Sequence, residues 1–200
     1  TSVLLMKFIE NYCDAYLSDG SLYGYSVRNL FNSNSIYIMP MVNPDGVDLV
    51  NGYINRNSSA YQNAVAISNR FPDIPFPSGW KANITGVDLN LQFPAGWEQA
   101  KEIKYAQGFN QPAYNFTLMH NFKLVLAYHT QGQEIYWQFQ NFTPPNSLEI
   151  GQKLAEASGY RLAETPYNSS FAGYKDWFIQ NYNRPGYTIE AGIGENPLPL

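Results

Sequence analysis

His129 closes the apolar run Leu124-Val125-Leu126-Ala127-Tyr128 and is followed at once by Thr130-Gln131-Gly132. A strand that ends in an imidazole delivers it to the rim of a sheet, where open α/β folds place their ligands. There it can coordinate a metal, act as a general base, or sit as a satisfied structural side chain. His120 is the only other histidine, so imidazole chemistry has few alternatives. Glu190 ends a second apolar run, Tyr187-Thr188-Ile189, and leads into Ala191-Gly192-Ile193-Gly194. Apolar flanks desolvate a carboxylate, raise its pKa and make it a better base. The plainer role for Glu190 is an ion pair at the rim, with Arg161 or Arg184 as partner. In Gly86-Val87-Asp88-Leu89-Asn90, Asp88 could brace a metal-binding histidine and Asn90 could hold a substrate carboxylate or carbonyl. An Asx turn uses the same residue types.

The elements that must position these side chains alternate along the chain. Leu5, Phe8, Ile9, Tyr12, Cys13, Tyr16 and Leu17 recur at helical spacing, and Ser18-Asp19-Gly20 supplies a stop. Cys13 is expected to be a buried, inert thiol on that helix. Ser35 to Met39 reads as a short strand ended by Pro40, and Asn43-Pro44-Asp45-Gly46 as a turn. Residues 51–85 show no sustained period and are expected to form a long surface excursion. Leu124 to Tyr128 and Glu134 to Trp137 are predicted strands. Asn146 to Ser158 and residues 174–182 are predicted helices, the first stopped by Gly159 and the second ended before Pro185. Tyr187 to Ile189 is a buried strand. The alternation predicts an α/β domain with a mixed, mostly parallel central sheet flanked by helices.

Composition narrows the function. Two hundred residues, 44% of them hydrophobic, suffice for one domain with a full core. Twelve basic against sixteen acidic residues give a net charge of −4 with no basic run, which recommends neither nucleic acid nor an anionic membrane as partner. No apolar stretch approaches the length of a membrane span, and the first residues lack the basic start of a signal peptide.

The ordered set of motifs resembles the zinc carboxypeptidases of the carboxypeptidase A type. It comprises Asn43-Pro44-Asp45-Gly46-Val47, Gly86 to Asn90, His129 and Thr188-Ile189-Glu190. Trp80-Lys81-Ala82-Asn83, Phe93-Pro94-Ala95-Gly96-Trp97, Gly108-Phe109-Asn110-Gln111-Pro112, Tyr128 to Gly132 with Ile135-Tyr136-Trp137, and Arg184-Pro185-Gly186-Tyr187 are similar to the bacterial branch that includes γ-D-glutamyl-L-diamino acid endopeptidases. The similarity spans the chain, and residues 1–200 are expected to be part of such a catalytic domain. The resemblance implies that His129 is one of three protein ligands to a single zinc ion. It implies that Glu190 takes a proton from zinc-bound water and passes it to the leaving amine. By the same match Asn90 helps hold the substrate carboxylate and Tyr167 lies where the family carries a mobile tyrosine, although counting back from Asp176-Trp177 selects Asn168. Lys175 matches the base of the side-chain pocket, where it would suit a substrate side chain ending in a carboxylate, as in meso-diaminopimelate.

Three departures accompany the match. The His-x-x-Glu pair that supplies the other two ligands in the family occurs nowhere in the sequence. In relatives it precedes the first helix, so the chain is expected to be a fragment truncated at both ends, lacking a final helix too, with weak or no zinc affinity of its own. Leu91 and Thr85 stand where relatives carry arginines, which weakens bidentate capture of a free α-carboxylate and argues against a strict exopeptidase. The passage after Pro112 is shorter than in relatives. The expected function is a bacterial zinc peptidase of cytoplasm or cell wall, a monomer acting on a peptide or muropeptide. The alternative is a peptide- or glycan-binding module that keeps the fold without the metal. A glycosidase would need a second acid beside Glu190, and no comparable apolar strand end supplies one.

Overall fold

The computed structural model describes residues 1–99, 112–167, 171–195 and 198, in two compact units. Gly108 to Gln111, the join to Pro112, Asn168 and most of the final prolines' segment lie outside the described residues.

The first unit covers residues 1–42. Helix α1 (Ser2–Leu17) turns its half-buried side along Leu5, Phe8, Ile9, Tyr12, Ala15 and Tyr16. Cys13 follows Ile9 by four positions and Leu17 follows Cys13 by four, each step drifting about 40° round the helix, so they pass off the edge of the stripe and are exposed; the buried thiol expected from the sequence is corrected. A two-residue hairpin, β1 (Ser21–Leu22) and β2 (Tyr25–Ser26), leads into α2 (Val27–Ser33), capped by Ser26. The strand expected at residues 35–39 does not form. A strand needs a ladder partner, and no described strand includes or pairs with this run.

The second unit, residues 43–198, carries the sheet. Its entry corrects a second expectation, because Asn43-Pro44-Asp45-Gly46 is a helix start. The Asn43 side chain accepts from Gly46 N, and Pro44 occupies the first position of α3 (Pro44–Val50), where its missing N–H costs nothing. Helix α4 (Ser59–Ser68), capped by Ser58, interrupts the stretch read as a long excursion. After α5 (Pro112–Leu118) come β3 (Val125–His129), β4 (Glu134–Tyr136), α6 (Ser147–Ser158), β5 (Arg161–Ala163), α7 (Tyr174–Tyr182) and β6 (Gly186–Glu190).

These form a four-stranded sheet in the order β3-β6-β4-β5. The β3/β6 and β4/β5 pairs are parallel and β6/β4 is antiparallel, a mixed, mostly parallel sheet in an α/β fold. Strand alternation divides its two faces. Tyr187, Ile189 and Ile135 point to one face, where α6 closes a cluster with Ile150, Leu154, Ala155 and Leu162. Full burial of each such side chain contributes about 1.5–3 kcal/mol. The Tyr187 hydroxyl, buried with its ring, donates to Ser147 O at 2.7 Å and pins the start of α6. On the other face α7 approaches β6 at Gly186, where a Cβ would lie 3.4 Å from the Ile179 side chain. Beyond that contact the same face continues through Thr188 to Glu190 at the rim.

Candidate active site

Residues paired across neighbouring strands share a face of the sheet. His129 is the register partner of Glu190, Glu190 of Glu134, and Glu134 of Arg161. The C-terminal rim of β3 and β6 therefore carries one row of four side chains in the order imidazole, carboxylate, carboxylate, guanidinium. They stand on the face opposite α6. Two residues inward on that face, Tyr136 is the partner of Thr188 and Ala163.

Two loops brace this row. After β3 the Thr130–Gln131 peptide is cis, and Gly132 N and Gln133 N both donate to Gly192 O, at 2.9 and 3.1 Å. Gly192 N donates to the Tyr160 hydroxyl at 3.1 Å, and Ala191 N donates to His129 O at 2.9 Å. The ends of β3 and β6 are thus fastened together, and His129 and Glu190 are held side by side by main-chain hydrogen bonds.

Each group's ionisation follows from its neighbours. Burial lowers the His129 pKa against a smaller opposing pull from Asp88, so the ring is neutral at neutral pH and keeps a lone pair for a ligand. Burial raises the Glu190 carboxyl, and the charge of Glu134 raises it further. Neither cation proposed as its rim partner pairs with it. Arg161 pairs with Glu134, and Arg184 donates to Asn121 Oδ1 at 2.7 Å and Phe122 O at 2.5 Å. Among the described residues no cation forms an ion pair with Glu190. Glu134 is held below the usual carboxylate range by hydrogen bonds from Tyr136 and Arg161. The Tyr136 phenol is pushed up to about 12, first by burial and then by its 2.5 Å bond to Glu134 Oε2.

The other expected residues fall in three places. Asp88 caps a 3-10 turn, Leu89–Leu91, by accepting from Asn90 N at 2.9 Å, so the Asx turn is formed while its charge still reaches His129. Asn90 is exposed on that turn. Leu91 packs against Phe171 and Ala172, and the exposed Tyr167 ring meets Phe171 edge-on at 5.2 Å. Phe171 therefore brings the Asn90 turn and the Tyr167 segment together. Lys175, in the first turn of α7, is only 3% exposed. Its ammonium donates to Gln138 O at 2.6 Å, Thr165 Oγ1 at 3.3 Å and Asp176 Oδ1 at 2.5 Å. His120 lies in a ring stack with Phe122, at 5.2 Å and 10°, with Nδ1 2.7 Å from Phe116 O.

Sequence reasoning missed Glu134 and Tyr136 as members of the rim, and it placed Arg161 there with Glu190 rather than Glu134 as its partner. The alternation Glu134-Ile135-Tyr136 was the available signal, since it places both polar side chains on one face. It also missed that a second acid stands beside Glu190.

The zinc carboxypeptidase family profile matches residues 1–198. The chain belongs to the zinc carboxypeptidase family. It is 39% identical over 214 residues to gamma-D-glutamyl-L-diamino acid endopeptidase 1 of Lysinibacillus sphaericus, a match covering 100% of this chain and 53% of that protein. It is 36% identical over 214 residues to the uncharacterized protein YqgT of Bacillus subtilis (strain 168), covering 100% of this chain and 56% of that protein. The chain thus spans about half the length of these two relatives. A zinc carboxypeptidase centre needs three protein ligands. Among the described residues no group of three or more His, Cys, Asp or Glu side chains could hold a metal ion. His129 and its neighbours therefore do not by themselves fit the family's zinc. No described helix is long and apolar enough to cross a membrane.

Proposed function

We propose that this chain is the part of a zinc-dependent bacterial peptidase that supplies one metal ligand, His129, and the general base, Glu190. The remaining two ligands, a His-x-x-Glu pair, would come from residues beyond these 200. The observation that carries the reading is the register of His129 with Glu190 on one face of the sheet, with the carboxyl desolvated and not ion-paired to a described cation. Such a carboxylate can take a proton from a water attacking a peptide carbonyl. As the C–N bond breaks, the same proton passes to the leaving amine. Asn90, on its exposed turn, holds a substrate carboxylate, and Tyr167 covers the bound peptide from the Phe171 side.

For substrate, we propose the γ-D-glutamyl to diamino acid bond of cell-wall peptides, in cytoplasm or cell wall, hydrolysed by a monomer. Similarity to a protein named for that activity supports the choice. Leu91 supports an endopeptidase, because an apolar side chain occupies a position where a guanidinium would otherwise capture a terminal carboxylate.

A peptide- or glycan-binding module without metal is the second reading, favoured by the lack of a ligand cluster among the described residues. Zinc analysis of the complete protein, together with hydrolysis of a γ-D-glutamyl-diamino acid peptide, separates the two. One zinc per chain with cleavage supports the peptidase. Peptide binding with neither zinc nor cleavage supports the module.

A further inference from the structure

A substrate side chain ending in a carboxylate needs a cation within reach of the base, and Lys175 and Arg161 meet that need very differently. The Lys175 ammonium is 3% exposed, and its three protons go to Gln138 O, Thr165 Oγ1 and Asp176 Oδ1. Turning one of them to a substrate would leave a buried acceptor or the Asp176 carboxylate unsatisfied, a large penalty at low dielectric. Those three partners are the chain just past β4, the chain just past β5 and the first turn of α7. Lys175 is placed to join three elements.

Arg161 has the opposite character. Its side chain is 69% exposed, and it stands at the end of the row that contains Glu190. Two strand spacings of about 4.8 Å separate the Cα atoms of Glu190 and Arg161, roughly 10 Å in all. That suits a substrate whose scissile carbonyl lies at Glu190 and whose side chain runs several bonds along the rim. Of the guanidinium donors, Nη2 is engaged by Glu134, whose other oxygen accepts from Tyr136. The remaining N–H fork is available for a bidentate carboxylate. Glu134 sits between base and cation, repelling a substrate carboxylate from Glu190 and orienting the guanidinium that receives it.

We infer that Arg161 is the specificity-determining residue for an acidic substrate side chain, and that Lys175, to which the sequence reading gave this role, is a structural joint. The inference rests on the peptidase reading of Glu190. It is tested on the complete protein with two peptides that differ only in whether the distal carboxyl of the diamino acid is free or amidated. Arg161→Gln is expected to lower kcat/KM for the free acid by about 10- to 100-fold, mostly through KM, the size of a lost charge-assisted hydrogen bond. The amidated peptide should change less than about twofold, and Arg161→Lys should restore part of the loss. Lys175→Met should lower both peptides alike. Should it fail to fold, Thr165→Val removes one acceptor of the ammonium and should leave the acid-to-amide ratio unchanged. An unchanged ratio in Arg161→Gln, or a changed ratio in Lys175→Met or Thr165→Val, overturns the inference. If the wild-type protein cleaves neither peptide, the peptidase reading fails, and titration calorimetry with the same pair still decides Arg161. Tighter binding of the free acid, abolished by Arg161→Gln, upholds its role; equal wild-type affinities refute it.

Discussion

Gly46 is the position at which a single methyl group should do most damage to the loop that carries Asp88 and Asn90. A Cβ there would lie 2.5 Å from Ala82 O and 2.7 Å from Asn43 Oδ1, with Asn43 Nδ2 nearer still. The carbonyl is backbone and cannot rotate away. The asparagine cannot yield without losing two bonds, its cap to Gly46 N at 3.2 Å and its donation to Ala82 O at 3.0 Å. Asp45 completes the clasp by accepting from Ile84 N at 3.2 Å. The cap is worth about 1 kcal/mol and the part-buried bond about 1 kcal/mol. Overpacking adds about 1–3 kcal/mol, while replacing glycine within a helix returns about 1 kcal/mol. Gly46→Ala should therefore destabilise the protein by about 2–4 kcal/mol. Urea unfolding followed by tryptophan fluorescence reads this directly, since Trp80 donates to Asn83 O inside the clasped loop. A midpoint lowered by about 1–2 M at unchanged slope is expected. A change below about 0.5 kcal/mol would refute the argument that glycine is required here by the approach of Ala82 O.

Three further outcomes are expected. Gly151→Ala places a methyl 2.9 Å from the Leu162 side chain and 3.3 Å from the Tyr187 ring. Overpacking should outweigh the helical gain and cost about 1 kcal/mol in the same urea assay, and stabilisation would show that the α6 contact is looser than described. Glu134→Gln removes a negative neighbour that raises the Glu190 carboxyl. The base then ionises at lower pH, so the acid limb of the complete protein's pH–activity profile should move down, and an upward shift would contradict the row geometry. Tyr136→Phe deletes the hydroxyl whose bond helps hold Glu134 ionised. Chemical-shift titration of the carboxyl should show the Glu134 pKa rising, and an unchanged value would mean that Arg161 alone controls it.

Periodic elements with a clear stop were legible, whereas the helices with side-chain caps, α2, α3 and α4, were not read as helices. Residues 174–182 are a helix because Asn183, in a left-handed conformation, and Pro185 end it, and β3 and β6 announce themselves as apolar runs ending in polar residues. What local sequence could not show was register. Nothing near His129 states that Glu190, 61 positions later, stands beside it, or that Glu134 and Arg161 continue the row. Residues 35–39 carried strand propensity, but propensity without a partner edge makes no ladder. The Asn43 motif was read as a turn because Pro and Gly punctuate it, whereas proline at a first helical position starts a helix. The resemblance named Glu190 and His129 together; the strand pairing supplies the physical reason that they can act together.

Glu190, beside His129 at the rim, is proposed as the base of a peptidase. The most direct test of that role is the rate of γ-D-glutamyl-diamino acid hydrolysis by the complete protein carrying Glu190→Gln, an isosteric change that removes only the proton acceptor. A fall in kcat of at least about 100-fold with folding intact is expected, the scale of a lost general base. Full activity in Glu190→Gln would contradict that role.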